Sequence, residues 1–280
     1  MHIQRGAWAE INLDAVAHNV QMAQANLKPT TKLCAVVKAD AYGHGAVRVA
    51  QEAARNGADF FAVALLQEGV KLREAGIETP ILVLGSMLPE VAEICVRYDI
   101  SHAVFDEERL YALNAAALKL HTKAKIHIKI DTGMHRIGVH VRDAGRFAKL
   151  AASLPGIYIE GVFSHFATAD ADDKQYAAYQ FERFQEALRL IEAEGVHIPI
   201  RHIANSAALT ELQEYQLDMV RQGITLYGLH PAHMIDCYKD FEPVMTVKTQ
   251  VAFVKTLPPG ETIGYGRTYT LTRPSVIATV

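Results

Sequence analysis

The chain has 280 residues, half of them apolar and 21% charged, with a formal net charge of −3. That length suits one large α/β barrel or two ordinary domains, and the apolar share suffices for a sizeable core. The near balance of charge favours neither nucleic acid nor an anionic membrane as partner, and neither is expected. No apolar run reaches transmembrane length, and the start, Met1-His2-Ile3-Gln4-Arg5-Gly6, lacks an apolar signal core. Cys34, Cys95 and Cys237 have no CxxC or metal-ligand spacing. Free thiols, no metal and a cytoplasmic location are therefore expected.

Short apolar runs alternate with amphipathic stretches along the chain, the pattern of parallel α/β folds. Strands are predicted at Leu33 to Lys38, Phe60 to Ala64, Ile81 to Leu84 and Ala103 to Phe105. They continue at Lys125 to Ile130, Tyr158 to Phe163, Ile200 to Ala204 and Met219 to Ile224. Helices lie between most of them. Ala46, Val49, Ala50 and Ala53 share one helical face before Gly57, and Phe181, Phe184, Leu188 and Ile191 repeat the pattern before Gly195. Eight such units fit a (β/α)8 barrel, with a doubly wound open sheet as the alternative. Beyond Gly228 the texture becomes β-rich. Val244 to Leu257 reads as one long strand, Pro258-Pro259-Gly260 as a turn and Val276 to Val280 as another strand. The expected division is a barrel over 10–235 and a β-domain from 1–9 and 236–280. A sheet stopping inside a strand leaves an open edge, so either the chain is shortened or a partner supplies the rest.

The residues able to do chemistry lie where these strands end. Lys38 follows an apolar run and precedes Ala39-Asp40-Ala41-Tyr42-Gly43-His44-Gly45. A partly desolvated lysine at a strand's C-terminal end has a lowered pKa and can form a Schiff base with an aldehyde. The plainer alternative is a lysine snorkelling to solvent. Asn205-Ser206 and Gly223-Ile224 follow the seventh and eighth strands, where barrels often cradle phosphate, although Ser206 could equally cap the next helix. Arg221, in a buried strand, needs a partner, either an acid such as Asp218 or a ligand. Lys129 and Arg136 lie at the end of the fifth strand and His165 at the end of the sixth, where a histidine is often only a satisfied core residue. Tyr265, between Gly264 and Gly266, reads locally as a turn aromatic.

The run Val36-Val37-Lys38-Ala39-Asp40-Ala41-Tyr42-Gly43-His44-Gly45 resembles the cofactor-attachment signature of bacterial alanine racemases. His202-Ile203-Ala204-Asn205-Ser206-Ala207-Ala208 is similar to another segment of that family, and the resemblance extends from Ala7-Trp8-Ala9-Glu10-Ile11 to Val280. It implies a pyridoxal 5'-phosphate (PLP) enzyme that interconverts L- and D-alanine and supplies D-alanine for peptidoglycan. Lys38 would hold PLP and serve one face of the substrate. Tyr265, reaching in from the other subunit of a head-to-tail homodimer, would serve the opposite face. The resemblance further implies that Ser206, Gly223 and Ile224 grip the phosphate, to which Tyr42 adds its hydroxyl, and Asn205 is expected to bind the cofactor beside them. Arg221 would face the pyridine nitrogen, with His165 beside the ring and bonded toward Arg221. Arg136 would reach the cofactor's phenolic oxygen or the substrate carboxylate, and Lys129 would be either plain or carbamylated. Serine remains an alternative substrate, since one hydroxyl changes pocket discrimination only modestly. A third alternative is an impaired fragment that only binds PLP.

Overall fold

The computed structural model describes residues 6–231 and 236–280. The polar start at Met1 to Arg5 and the predicted boundary at 235 lie outside the described residues. The chain divides into two compact units, Leu13–Val244 and Met1–Asn12 with Met245–Val280.

The smaller unit is antiparallel. Its first strand, β1 (Ala7–Ile11), pairs with a strand at Met245–Thr249, from Ala7 opposite Thr249 to Ile11 opposite Met245. Phe253–Leu257 pairs with Ser275–Thr279, and Thr262–Ile263 with Tyr269–Thr270. The run from Val244 to Leu257 is therefore not one strand. It breaks at residues 250–252, and its halves join different partners. Apolar content alone did not mark that break, because Val251 and Ala252 continue the run.

The larger unit is a parallel barrel. Its strands are β2 (Lys32–Val36), β3 (Phe60–Val63), β4 (Ile81–Val83), β5 (Ser101–Val104) and β6 (Ala124–Asp131). A short β7 (Val139–His140) pairs with β6, and β8 (Ile157–Phe163), β9 (Ile200–His202) and β10 (Met219–Gln222) follow. The order β10-β2-β3-β4-β5-β6-β8-β9 nearly closes the sheet on itself, which excludes an open doubly wound sheet. At the seam, the Arg221 amide donates to Ala204 O at 3.1 Å and the Asp218 amide to Arg201 O at 3.0 Å.

Two-residue periodicity sorts the strand side chains. Cys34, Val36, Phe60, Ala62, Leu82, Ile200 and Met219 form one buried cluster. The alternate set, including Leu33, Phe61, Val63 and Ile81, is buried as well, so both faces are apolar, as parallel strands under helices require. The helix Ala46–Arg55 buries Ala46, Val49, Ala50 and Ala53, the expected face. The helix Gln175–Ala193 instead buries Ala177, Gln180, Phe184, Ala187 and Ile191, a stripe rotated from the predicted one. The reason is Gln180. It accepts from the Ala167 amide (2.8 Å) and donates to His165 O (3.1 Å), so a polar residue occupies a core position.

Candidate active site

Lys38 does not end a strand. β2 stops at Val36, and Lys38 opens a turn in which Ala39, Asp40, Ala41 and Tyr42 all have φ between 51° and 55°. Left-handed backbone costs L-residues about 1–2 kcal/mol each, so this turn must be held from outside. The Ala41 amide reaches Val37 O (2.9 Å) and the Gly43 amide Ala39 O (3.0 Å). Asp40 Oδ1 accepts from the Ala46 amide at 3.0 Å. Glu68 supplies a further clamp: one oxygen accepts from the Ala39 amide (2.6 Å), the other from the Ala64 and Leu65 amides (2.7 and 3.0 Å). One carboxylate thus ties the Lys38 turn to the end of β3.

The turn opens on a cavity of about 550 Å³. Its walls include Lys38, Tyr42, Lys129, Arg136, His165, Asn205, Ser206, Arg221, Gly223 and Ile224, so ten of the proposed site residues come together there. Tyr265 belongs to the other unit, and its side chain is fully exposed. Sequence reading passed over Asp170, Ser86 and Phe163, which also line the cavity. Asp170 is the single carboxylate among the lining residues, against the four cations Lys38, Lys129, Arg136 and Arg221. Such a cavity favours anionic ligands.

Asn205, not Ser206, caps the helix Ser206–Glu211, accepting from the Ala208 amide at 3.1 Å. Ser206 Oγ is free to face β10 and accepts from the Gly223 amide at 2.8 Å. A Cβ placed on Gly223 would lie 3.6 Å from the Tyr42 hydroxyl and 3.7 Å from Ser206 Oγ. Three groups therefore surround one small space, which a larger residue at 223 would fill. Tyr42 is held by the ring of Tyr227, 5.0 Å away, and the Tyr227 hydroxyl donates to Val36 O at 2.8 Å.

Arg221 is buried, but Asp218 is not its partner. Asp218 binds Arg201 at 2.6 Å. The Arg221 guanidinium donates to His202 Nδ1 (2.7 Å), Ser164 O (2.8 Å), His165 Nδ1 (2.9 Å) and Ile203 O (3.0 Å). Its Nε–H has no acceptor among the described residues. Phe163 lies against this charge, with Arg221 Cζ 5.5 Å and Lys129 Nζ 5.0 Å from its ring centre. A loop folded by Asp131 carries Arg136: Oδ1 accepts from the amides of Gly133 (3.1 Å) and His135 (3.0 Å). Gly138 closes that loop at φ 140°, where a Cβ would sit 2.5 Å from the Asp131 nitrogen.

The cations depress one another. Burial first, then Arg136, lowers the Lys38 pKa below 10.5. Burial, then Arg221 and Arg136, pushes Lys129 well below that value, and its nearest hydrogen-bond acceptor is Ile130 O at 3.4 Å. Burial and then Arg221 keep His165 well below the ordinary histidine value, so its imidazole is neutral and its Nδ1 can accept from Arg221. The arrangement offers a lysine of depressed pKa beside a cradle for an anion.

The model for the alanine racemase N-terminal domain matches residues 11–231, and that for the C-terminal domain matches 244–280. An alanine racemase of Desulfovibrio desulfuricans is 45% identical over 276 residues, covering 99% of this chain and 74% of the relative. One of Halothermothrix orenii is 45% identical and covers 99% and 73%. The solved alanine racemase of Clostridium difficile 630 superposes with a TM-score of 0.93 at 38% identity, again over 99% of this chain and 73% of that one. No described helix is long and apolar enough to cross a membrane. With both domain models matched and near-complete coverage by relatives above 40% identity, the chain belongs to the alanine racemase family.

Proposed function

We propose that this chain is an isomerase that interconverts L- and D-alanine with PLP as cofactor. It acts in the cytoplasm as a homodimer and supplies D-alanine for peptidoglycan. The observation that carries the cofactor reading is the meeting of Lys38 with the Tyr42, Ser206 and Gly223 cradle in one cationic cavity. Relatives and solved structures bear alanine racemase names, and one Clostridium difficile structure is a complex with cycloserine. Neither a serine racemase nor a fragment that only binds PLP is favoured by these likenesses.

The residues present fit PLP. Lys38 would hold its aldehyde carbon. Ser206 and Tyr42 offer hydroxyls, and Gly223 the space, for its phosphate. Arg221, with an Nε–H left over, would donate to the pyridine nitrogen without protonating it. When bound, PLP supplies the electron withdrawal that acidifies the amino acid's Cα–H. With only a hydrogen bond from Arg221, that withdrawal stays moderate, which favours return of a proton to Cα over transamination. Racemisation needs bases on opposite faces of Cα. Lys38 serves one, its lowered pKa leaving the amine able to take a proton. Tyr265 of the partner subunit serves the other. Its full exposure within a single chain is what a residue destined for another subunit's site requires. Arg136 binds the substrate carboxylate or the cofactor's phenolic oxygen. Lys129, desolvated and beside the charges of Arg221 and Arg136, would add carbon dioxide to its neutral amine and release a proton, giving a carbamate anion that offsets their charge.

The test is borohydride reduction of the PLP-loaded protein, peptide mass spectrometry, and turnover of each alanine enantiomer. A single pyridoxyl adduct on Lys38 with racemisation in both directions is expected. A folded protein with adducts scattered over surface lysines would overturn the cofactor assignment.

A further inference from the structure

Behind Arg221 lies a line of polar side chains that no role above uses. Arg221 Nη1 is 2.7 Å from His202 Nδ1. His202 Nε2 is 2.9 Å from His127 Nδ1, and His127 Nε2 is 3.0 Å from Glu160 Oε2. Ser101 Oγ donates to the same Glu160 oxygen at 2.5 Å. Both histidines are completely buried.

The fold makes room for this line in two ways. A Cβ on Gly161 would stand 2.4 Å from His127 Nδ1, so only glycine leaves space for that ring. The pairing of β6 with β8 also slips at this point. Ile126 lies opposite Ile159, but His127 lies opposite Gly161, which leaves Glu160 as the extra residue of a bulge. Bulges re-aim side chains, and this one brings the Glu160 carboxylate to His127.

The direction of every bond follows from the two ends. A guanidinium only donates, so His202 Nδ1 accepts and the proton of the neutral ring sits on Nε2. That proton goes to His127 Nδ1, so the His127 proton sits on Nε2, facing a carboxylate that only accepts. A second proton on His127 would oblige His202 Nε2 to accept and turn an N–H toward Arg221. Both rings are thus neutral and hold one tautomer. The buried Arg221 cation has no carboxylate within ion-pair distance among the described residues, and the nearest one on this line is Glu160, two imidazoles away.

We propose that Glu160 and His127 are positioning residues for Arg221. Through two neutral imidazoles of fixed tautomer, the carboxylate orients the guanidinium and serves as its remote counter-charge. This rests on the reading that Arg221 faces the cofactor ring, and the tests separate the two. Nitrogen-15 NMR of the imidazoles in the full chain, without cofactor, is expected to show His127 and His202 both neutral and protonated on Nε2. Either ring protonated on Nδ1 overturns the proposal, and this readout needs no variant. In the PLP-loaded enzyme, Glu160→Gln is expected to shift the cofactor absorption band. It should also lower kcat about tenfold, the scale of turning a charge-assisted hydrogen bond into a neutral one, with KM for alanine little changed. Glu160→Asp should recover part of both. A cofactor band and kcat unchanged in Glu160→Gln overturn the role of Glu160 alone. No cofactor band in the parent protein, with both tautomers as expected, overturns the cavity assignment and this role with it.

Discussion

Glu68→Gln isolates the clamp on the Lys38 turn. The carboxylate accepts three backbone N–H groups, one on Oε1 and two on Oε2. A glutamine has one acceptor oxygen. If it serves Ala64 and Leu65, its NH2 meets the Ala39 amide donor to donor. One bond to a charged acceptor, worth about 1.5–3 kcal/mol, is lost, and the other two become neutral and weaker. Because Glu68 is partly exposed, the lower part of that range applies, and the net loss should be about 2–3 kcal/mol. For a unit of this size that lowers Tm by roughly 4–12 °C. Thermal unfolding by circular dichroism measures it. The converse change, Ala39→Gly, keeps the amide and relieves the left-handed penalty at an exposed residue with φ 51°. It should stabilise by about 0.5–1 kcal/mol after the entropy cost of glycine is counted. If Glu68→Gln melts within about 1 °C of the parent, a quarter of the smallest expected shift, the clamp argument is wrong.

The remaining predictions concern the cavity. Ser206→Ala removes a hydroxyl from the phosphate cradle, and PLP retention by equilibrium dialysis should weaken about 10–100-fold, the scale of a hydrogen bond to a charged group. An unchanged Kd would remove Ser206 from the cradle. The unfolded chain keeps Lys129 protonated up to 10.5, while the folded chain releases that proton at lower pH. Stability from this group therefore rises with pH through the window below 10.5. In carbon-dioxide-free buffer, Lys129→Met should flatten that slope and stabilise the apo protein at pH 7 by about 1–3 kcal/mol. A lower Tm for the variant there would contradict the unpaired-cation reading, and intact mass in bicarbonate buffer reports carbamylation directly. Tyr265→Phe should impair solvent-hydrogen exchange into the two alanine enantiomers unequally, and equal residual exchange would count against Tyr265 as the second base.

The barrel was legible because each strand is an apolar run bounded by helical periodicity, and all eight predicted positions carry a strand. The ten cavity residues were legible chiefly through the resemblance of their runs to alanine racemase segments, since each also had a plainer local reading. The handedness of the turn at Lys38 was not. Ala-Asp-Ala-Tyr contains no glycine, and the bonds that hold the turn include one from the Ala39 amide to Glu68, 29 residues on. Of the two partners the sequence left open for Arg221, the acid Asp218 drops out because it turns to Arg201, while the expected bond between Arg221 and His165 is present at 2.9 Å. The line from His202 to Glu160 had a faint signal. Lys125, His127, Lys129 and Asp131 alternate with alanine and isoleucine along β6. In a strand covered by helices outside, such alternation places polar groups inside the barrel. Glu160 had none, because only the slipped pairing brings it to His127.

The pairing of β1 with residues Met245–Thr249 has a consequence for how the protein is made. A ribosome adds about 5–20 residues per second. Ala7–Ile11 therefore waits roughly 10–50 s for its partner to be synthesised, with the whole barrel sequence emerging in between. During that interval Trp8 and Ile11 lie on an unpaired strand, and Glu10, which finally pairs with Lys248 at 2.7 Å, is the one charge on it to discourage pairing with another nascent chain. The barrel can fold as it emerges, whereas the smaller unit forms only late. Translation speed and crowding by neighbouring ribosomes should therefore affect the yield of the smaller unit more than that of the barrel.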